Sequence, residues 1–240
     1  MGTAMLGALG LALATSVPAH AWGHKGHRII AEIAEDHLTP ATITALRRLM
    51  GSGDIVQYAT WADGIRHERP ETAPWHYVNI PADSNGYDAH RDCPEGDCIV
   101  EKIEEFSAIL RDQKRSSEDR QEAVVFLVHL VGDIHQPMHA IEDARGGNDV
   151  PDVEFGNAIC GLHSCELHST WDSGMIRHTG LTEQHYVHRL EAIITTDHLR
   201  ASGDAGQWAN ESFHDAKGAW IGPDTDIDEN YFRRELPITQ

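Results

Sequence analysis

Basic residues are scarce in this chain of 240 residues. It contains 19 lysines and arginines against 38 aspartates and glutamates, which gives a formal net charge of −19 at pH 7. The basic residues form no cluster. A protein that grips duplex nucleic acid through its backbone presents a basic face that displaces counterions, so this composition argues against non-specific duplex binding. Some of the many carboxylates are instead candidates for metal ligands.

Long apolar runs are also missing. The main apolar stretch lies within residues 1–21 and is much shorter than the ~20 residues that span a bilayer. It is followed by Ala19-His20-Ala21, the small-x-small pattern of a signal peptidase site. We therefore predict a signal peptide over residues 1–21, cleavage before Trp22, and a secreted or periplasmic protein. No Lys or Arg precedes the apolar stretch, which departs from the usual signal-peptide pattern.

Only four cysteines are present, and they form two pairs of equal spacing. Cys93 and Cys98 make one pair, and Cys160 and Cys165 make the other. In an exported chain this pattern predicts two small loop-closing disulfides, although four cysteines allow three connectivities. A zinc site made of cysteines is the alternative, which an oxidising compartment disfavours.

Strand patterns, internal repeats and long linkers are scarce or absent, so residues 22–240 are expected to form one domain. Apolar residues recur at helical spacing in most segments, and the predicted fold is an all-α helical bundle with at most a small β-hairpin. A strand is indicated only over 150–155. The predicted helices cover 25–38, 40–51, 54–66, 97–112, 116–135 and 182–198.

The segment HLVGDIHQPMH contains two histidines and an aspartate with metal-ligand character. His129 and Asp133 stand four apart, so on a helix they project from the same face. LHSTWD repeats this offset with His168 and Asp172. Zinc accepts nitrogen and carboxylate ligands readily, and two such pairs suggest more than one metal. The alternative for either pair alone is an ordinary ion pair on a helix surface.

Further candidate ligands lie near predicted element ends. Pro137 is expected to end the helix and to aim His139 away from His129, toward a different metal. Asp63 and His76 lie where side chains can reach the centre of a bundle. Cleavage before Trp22 would create an α-amine that can chelate a metal together with its own carbonyl oxygen. No HExxH sequence occurs, which argues against a zinc protease.

The order of these motifs resembles a known family. Trp22 after a signal peptide is followed by WAD, PWHYVNIP, FLVHLVGDIHQPMH, GGND and LHSTWD. This series is similar to that of the secreted zinc-dependent type I nucleases of fungi, plants and some bacteria, and it covers most of residues 22–176. The resemblance implies hydrolysis of single-stranded DNA and RNA to 5′-nucleotides by metal-activated water, together with 3′-nucleotidase activity. It implies a monomer with no stable protein partner and no membrane association.

The resemblance also implies roles for individual residues. Three zinc ions would be held by Trp22, His27, Asp63, His76, His129, Asp133, His139, His168 and Asp172. Asp63 would also orient the nucleophile, and Arg66 would face the phosphate. Substrate contacts would come from Tyr77, Asn79, Arg145 and Asn148, although Tyr77 also suits a core position. His163 lies in a similar local sequence to His168, but only His168 has an aspartate four residues later.

Two other functions remain open from the sequence. A bacterial zinc-dependent phospholipase C resembles this family in its amino-terminal Trp ligand, but the WGHKGH opening, Asp172 and Tyr77 favour the nuclease. A non-catalytic zinc-binding protein is the second alternative, although the His139 group offers only three protein ligands and so leaves a position for water or substrate. The family continues into one further helix beyond the equivalent of Gln240, so that helix is expected to be missing here.

Overall fold

The computed structural model describes residues 22–151, 165–200, 202–220 and 227–237. Regular structure within these ranges is helical, which confirms the all-α prediction. The helices are α1 (Gly23–Asp36), α2 (Pro40–Met50), α3 (Trp61–Gly64), α4 (Ala89–Asp92), α5 (Ile99–Arg111), α6 (Ser117–Ile134), α7 (Ala144–Gly147), α8 (Leu167–Ser169), α9 (Met175–His178), α10 (Glu183–Thr196), α11 (Ala205–Ala219) and α12 (Glu229–Glu235). A π-helical segment, Thr170–Gly174, joins α8 to α9.

Shorter 3₁₀ turns complete the fold at Val56–Tyr58, Ile65–His67, Pro70–His76 and Pro137–His139. The predicted signal peptide and most of the predicted strand, residues 152–155, lie outside the described ranges. Pro151 forms an isolated antiparallel bridge with Glu166. Among the described helices, none combines the length and the apolar character that crossing a membrane requires.

Helix α6 lies at the centre of the core and begins and ends where the sequence indicates. The hydroxyl of Ser116 accepts a hydrogen bond from the backbone N–H of Asp119 at 3.0 Å, which caps the first turn. The ring of Phe126 is fully buried and stacks on Phe106 of α5 with centroids 4.6 Å apart. Burying a phenylalanine contributes about 1.5–3 kcal/mol, so this pair anchors α5 on α6.

The carboxyl end of α6 is fixed by a proline and by a neighbouring helix. Pro137 begins the 3₁₀ turn Pro137–His139, as expected from its inability to continue a helix. The hydroxyl of Ser212 in α11 donates a hydrogen bond to the carbonyl of Ile134 at 2.6 Å. This bond satisfies one of the free carbonyls at the helix end. The helix therefore ends before His139.

The helix expected over 54–66 is interrupted, and this prediction was wrong. The structure instead has the turn Val56–Tyr58, the short helix α3 and the turn Ile65–His67. Thr60 leaves the helical region with φ −117° and ψ 10°. The carbonyl of Ala59 accepts a hydrogen bond from the ring of His129, which is a tertiary contact and not a bond within a helix. The interruption directs Asp63 toward the interior.

The first disulfide prediction is confirmed, because Cys93 is bonded to Cys98 immediately before α5. The second predicted pair includes Cys160, which lies outside the described residues. Near the carboxyl end, the indole N–H of Trp171 donates to the Tyr231 hydroxyl at 2.8 Å, which in turn donates to the carbonyl of Ala219 at 2.9 Å. This chain of bonds ties α11 and α12 to the π-helical segment.

Candidate metal centre

Eight of the side chains predicted as ligands converge inside the bundle. They form three groups in which the potential ligand atoms lie within 4.8 Å of one another, and every member is buried. The groups are His27, His129 and Asp133; Asp63, His76 and His129; and His139, His168 and Asp172. Because His129 belongs to two groups, the first two are adjacent. This arrangement fits a trinuclear site.

Asp133 lies between the first two groups and approaches three imidazoles. Its Oδ1 lies 3.0 Å from Nε2 of His27. Its Oδ2 lies 2.8 Å from Nδ1 of His76 and 3.1 Å from Nε2 of His129. The rings of His27 and His129 stack with centroids 3.9 Å apart. One fully buried carboxylate thus faces ligands that come from three separate segments, as a carboxylate shared by two metals would.

Backbone carbonyls fix the orientation of three histidines. Nδ1 of His129 lies 2.7 Å from the carbonyl oxygen of Ala59, and Nδ1 of His168 lies 2.7 Å from that of Gly146. Nδ1 of His139 lies 2.6 Å from the carbonyl oxygen of His76. A carbonyl only accepts, so each Nδ1 carries the proton and each Nε2 presents its lone pair. Such bonds are the usual means of aiming a metal-binding imidazole.

Most of the buried side-chain atoms left without hydrogen bonds are ones that a cation would use. Among the described residues, Nε2 of His27, His76, His129, His139 and His168 and Oδ1 of Asp133 are buried and have no hydrogen-bond partner. A buried polar atom without a partner costs about 1–3 kcal/mol, so several together are not tolerated in an ordinary core. Cations bound in the three groups would satisfy these atoms, so the residues present fit a metal cluster.

Burial and neighbouring charges shift the pKa values of these groups in both directions. Burial alone would lower the pKa of His129, but Asp133 outweighs it and raises that pKa to about 9. Burial lowers the pKa of His139 to about 3 and also lowers the pKa of His168. Burial alone would raise the pKa of Asp133, but the imidazoles of His129 and His27 outweigh it and hold that pKa well below its usual value. Burial raises the pKa of Asp172 well above its usual value. A divalent cation would reverse that shift by favouring the carboxylate.

The start of α1 brings Trp22 and His27 to the same region. Trp22 is buried, and its carbonyl accepts the backbone N–H of His27 at 3.3 Å. A Cβ on Gly23 would lie 2.0 Å from Oγ of Ser173, so glycine allows α1 to approach the segment that carries Asp172. The role predicted for the Trp22 amine depends on cleavage before this residue and stays a prediction.

Asp63 and Arg66 lie together at the edge of the centre. Nη1 of Arg66 is 3.4 Å from Oδ1 of Asp63, and 17% of the Arg66 side chain is exposed. The same Oδ1 lies 3.7 Å from Nε2 of His129 and 3.9 Å from Nδ1 of His76. A guanidinium in this position can neutralise negative charge on a group bound at the metals.

The segment after His76 alternates between buried and exposed positions. His76, Val78 and Ile80 are buried, whereas Tyr77 and Asn79 are exposed. The segment is held by bonds from the N–H of Val78 to the carbonyl of His139 (2.9 Å) and from the N–H of Ile99 to that of Tyr77 (3.1 Å). Tyr77 is 37% exposed, so it does not occupy the core position that a tyrosine could also have taken.

Arg145 and Asn148 belong to a tight turn that also supports His168. Arg145 has φ 54° and Gly146 has φ 63°, so the backbone is left-handed at both residues. The side chain of Arg145 is 71% exposed and pairs with Asp149. The amide of Asn148 donates to the carbonyl of Arg145 at 2.7 Å. Since the carbonyl of Gly146 binds His168, the turn is coupled to the metal centre.

Gln136 contacts the centre without being indicated by its sequence spacing. It is fully buried, and its Nε2 donates to Oδ1 of Asp172 at 2.5 Å. Its position between the candidate ligands Asp133 and His139 is the signal that points to it. His135, in the same motif, is exposed, and its ring centroid lies 5.3 Å from that of Trp208. His163 lies outside the described residues.

Comparison with known proteins agrees with the geometry. The model of the S1/P1 nuclease family matches residues 22–240. The chain is 31% identical over 171 residues to nuclease S1 of Aspergillus oryzae, covering 68% of this chain and 57% of that protein. It is 33% identical over 163 residues to nuclease P1 of Penicillium citrinum, covering 64% and 58%. Endonuclease 2 of Arabidopsis thaliana is 31% identical over 171 residues, covering 65% and 57%.

The match to these relatives spans somewhat more than half of their length, whereas the family model extends over nearly the whole of this chain. The motifs that first indicated the family supply seven of the eight side chains that converge in the structure, and His27 is the eighth. On these grounds the chain belongs to the S1/P1 nuclease family.

Proposed function

We propose that this protein is a zinc-dependent endonuclease that hydrolyses single-stranded DNA and RNA to 5′-nucleotides and also removes phosphate from 3′-nucleotides. The observation that carries the proposal is the convergence of eight buried histidines and aspartates into three adjoining groups in a member of the S1/P1 family. Zinc is the proposed metal because it accepts this mixture of imidazole and carboxylate ligands.

Each zinc ion has a proposed set of ligands. The first set is Asp63, His76, His129 and Asp133; the second is His139, His168 and Asp172; the third is the Trp22 amine and carbonyl, His27 and the shared Asp133. The short distances from Asp133 to His27, His76 and His129 support the sharing. The second set has three protein ligands, which leaves a position for water or substrate, as in catalytic zinc sites.

The protein's own residues would assist the displacement at phosphorus. When bound, the zinc ions supply Lewis-acid stabilisation of the phosphoryl group and a nucleophilic water. Asp63 would orient the attacking water through its carboxylate. Arg66, whose Nη1 lies 3.4 Å from Asp63, would place positive charge beside the phosphoryl oxygens as the transition state forms.

Exposed residues around the centre are the proposed contacts for the nucleic acid. Tyr77 would stack on a base, and stacking accepts every base because each has a π face. Asn79, two residues along the same exposed edge, would contact a base edge. Arg145 and Asn148 would contact the sugar or the base from the turn that supports His168. The partners proposed are single-stranded DNA, RNA and 3′-nucleotides, bound by a monomer without a stable protein partner or membrane.

Export would complete the third zinc site. We propose that residues 1–21 are a signal peptide, that cleavage occurs before Trp22, and that residues 22–240 form the nuclease domain in the periplasm or the medium. The Cys93–Cys98 disulfide supports this proposal because such bonds persist in oxidising compartments. A Cys160–Cys165 disulfide is proposed on the same basis.

The test uses the full chain, expressed with residues 1–21 and purified from the exported fraction. Single-stranded DNA, RNA and 3′-AMP would be incubated with and without chelator, alongside measurement of bound zinc. We expect three zinc ions per chain and chelator-sensitive release of 5′-nucleotides and of phosphate. Phosphatidylcholine serves as the comparison substrate. Its preferential cleavage would favour a phospholipase C, and bound zinc without phosphoester cleavage would favour a zinc-binding protein.

A further inference from the structure

Gln136 connects two segments that each supply a ligand to the second metal group. It follows the end of α6 and precedes the turn Pro137–His139, which carries His139. Its partner Asp172 lies 36 residues later, in the π-helical segment. The side chains of both residues are buried. Contact between them is therefore a tertiary interaction inside the centre, shielded from water.

The two ends of the Gln136 amide are distinguished by their partners. Oε1 accepts a hydrogen bond from the backbone N–H of Met138 at 2.6 Å. Because that N–H only donates, Oε1 is fixed on Met138, and the NH₂ end is the one that faces Asp172 at 2.5 Å. The backbone carbonyl of Gln136 also accepts the N–H of His139 at 2.9 Å. Gln136 thus organises the turn of His139 and the carboxylate of Asp172 together.

The bond to Gln136 determines how Asp172 presents its oxygens. Oδ1 accepts from the amide, and Oδ2 lies 3.5 Å from Nε2 of His168. Without this bond, the carboxylate would be able to rotate about its side-chain torsion away from the two histidines. A ligand that is held by a buried hydrogen bond binds metal without first losing conformational freedom.

From these contacts we infer that Gln136 is a positioning residue for the metal held by His139, His168 and Asp172, and that it selectively sets the affinity of this ion. The inference rests on the proposed function. Partners that orient metal ligands in this way change metal affinity by about 10- to 100-fold when they are removed. Among the described residues, the side-chain amide of Gln136 bonds to Met138 and Asp172, and neither belongs to the other two groups.

Gln136→Met tests the inference, because methionine retains length and removes both hydrogen bonds of the amide. Ser212→Ala is the matched control: it removes a buried hydrogen bond of 2.6 Å to Ile134, two residues before Gln136. Zinc content and zinc release to a chromogenic chelator would be measured for both variants and for the unchanged protein. Kinetic constants on single-stranded DNA would be measured at saturating and at limiting zinc.

We expect three ions in the unchanged protein and in Ser212→Ala, and one ion bound about 10- to 100-fold more weakly in Gln136→Met. The lost activity of Gln136→Met would return at saturating zinc. The inference would be overturned if Gln136→Met bound all three ions as tightly as the unchanged protein does. It would also be overturned if the affinities of all three ions fell by the same factor. If Gln136→Met does not fold, Gln136→Leu replaces it, and failure of both would show a core role instead. Fewer than three ions in the unchanged protein would count against the proposed function itself.

Discussion

At the scale of single residues, the centre depends on where each charge and lone pair is directed. Asp133 faces three histidines, and backbone carbonyls orient three imidazoles. Residue types, spacings and positions near element ends predicted seven of the eight side chains that converge, and the family resemblance added His27. The carbonyls of Ala59, His76 and Gly146 were not predictable, because a backbone oxygen leaves no sequence signal. Gln136 was missed for a related reason, since glutamine is not a metal ligand.

Arg66 is expected to act on the reaction and not on metal binding. Arg66→Ala should reduce kcat by about 10²–10³-fold, the usual loss when one donor to a developing charge is removed, with zinc content unchanged. Arg69→Ala is the control. It removes a nearby arginine that is paired with Glu71 and Glu122 and not with Asp63. Steady-state kinetics with metal analysis measures both effects. Unchanged kcat in Arg66→Ala would contradict the role.

Tyr77 is expected to contribute binding of the base. Tyr77→Ala should weaken binding of single-stranded DNA by about 1–3 kcal/mol, because one stacked base is lost. Tyr77→Phe keeps the ring and should bind nearly as the unchanged protein does. Dissociation constants would be measured with a non-hydrolysable oligonucleotide. Equal losses in both variants would show that the hydroxyl, and not the stacking face, is responsible.

At the scale of helices, local sequence signals predicted the helix boundaries that are marked by a capping residue or a proline. Ser116, Pro137 and the Thr39-Pro40 start of α2 determine boundaries that the structure confirms. The helix predicted over 54–66 is interrupted in the structure, where the ring of His129, 70 positions later in the chain, binds the carbonyl of Ala59. Helices α11 and α12 were not predicted. Helix α11 carries few large apolar residues and is buried largely through small ones, among them Ala205, Ala209, Ala216 and Ala219.

The cap of α6 provides a prediction at this scale. Ser116→Ala should lower the free energy of unfolding by about 1 kcal/mol, because the N–H of Asp119 loses its partner. Ser117→Ala, one residue later, leaves this cap intact and should change the free energy of unfolding by less than half of that amount. Urea denaturation of the zinc-loaded protein measures the difference. Equal effects would show that Ser116 does not cap the helix.

At the scale of the whole molecule, folding and metal binding are coupled. The centre joins α1, α3, α6 and the segment that contains α8, so ions bound there stabilise the folded chain over the unfolded one. An ion present at a thousandfold excess over its Kd contributes about 4 kcal/mol. Excess EDTA should therefore lower Tm, by roughly 2–4 °C for each kcal/mol lost. EDTA saturated with zinc is the control, and an unchanged Tm with free EDTA would contradict the coupling.

The acidic balance of the chain predicts how binding responds to salt. Each phosphate contact on a single strand contributes about −0.7 to the slope of log K against log salt. With a net charge of −19 and no basic cluster, the slope for single-stranded DNA should correspond to about one or two contacts. Binding measured in the presence of zinc at several salt concentrations gives this slope. A slope expected for six or more contacts would reveal a basic surface that the composition does not indicate.

The proposed function depends most on three metal ions being bound by the residues that converge in the bundle. Crystals of the exported, zinc-loaded protein, measured above and below the zinc absorption edge, would locate zinc directly. We expect three anomalous peaks that disappear below the edge, one in each ligand set, with the third beside an amino terminus at Trp22. Fewer peaks, or peaks away from Asp133 and Asp172, would contradict it.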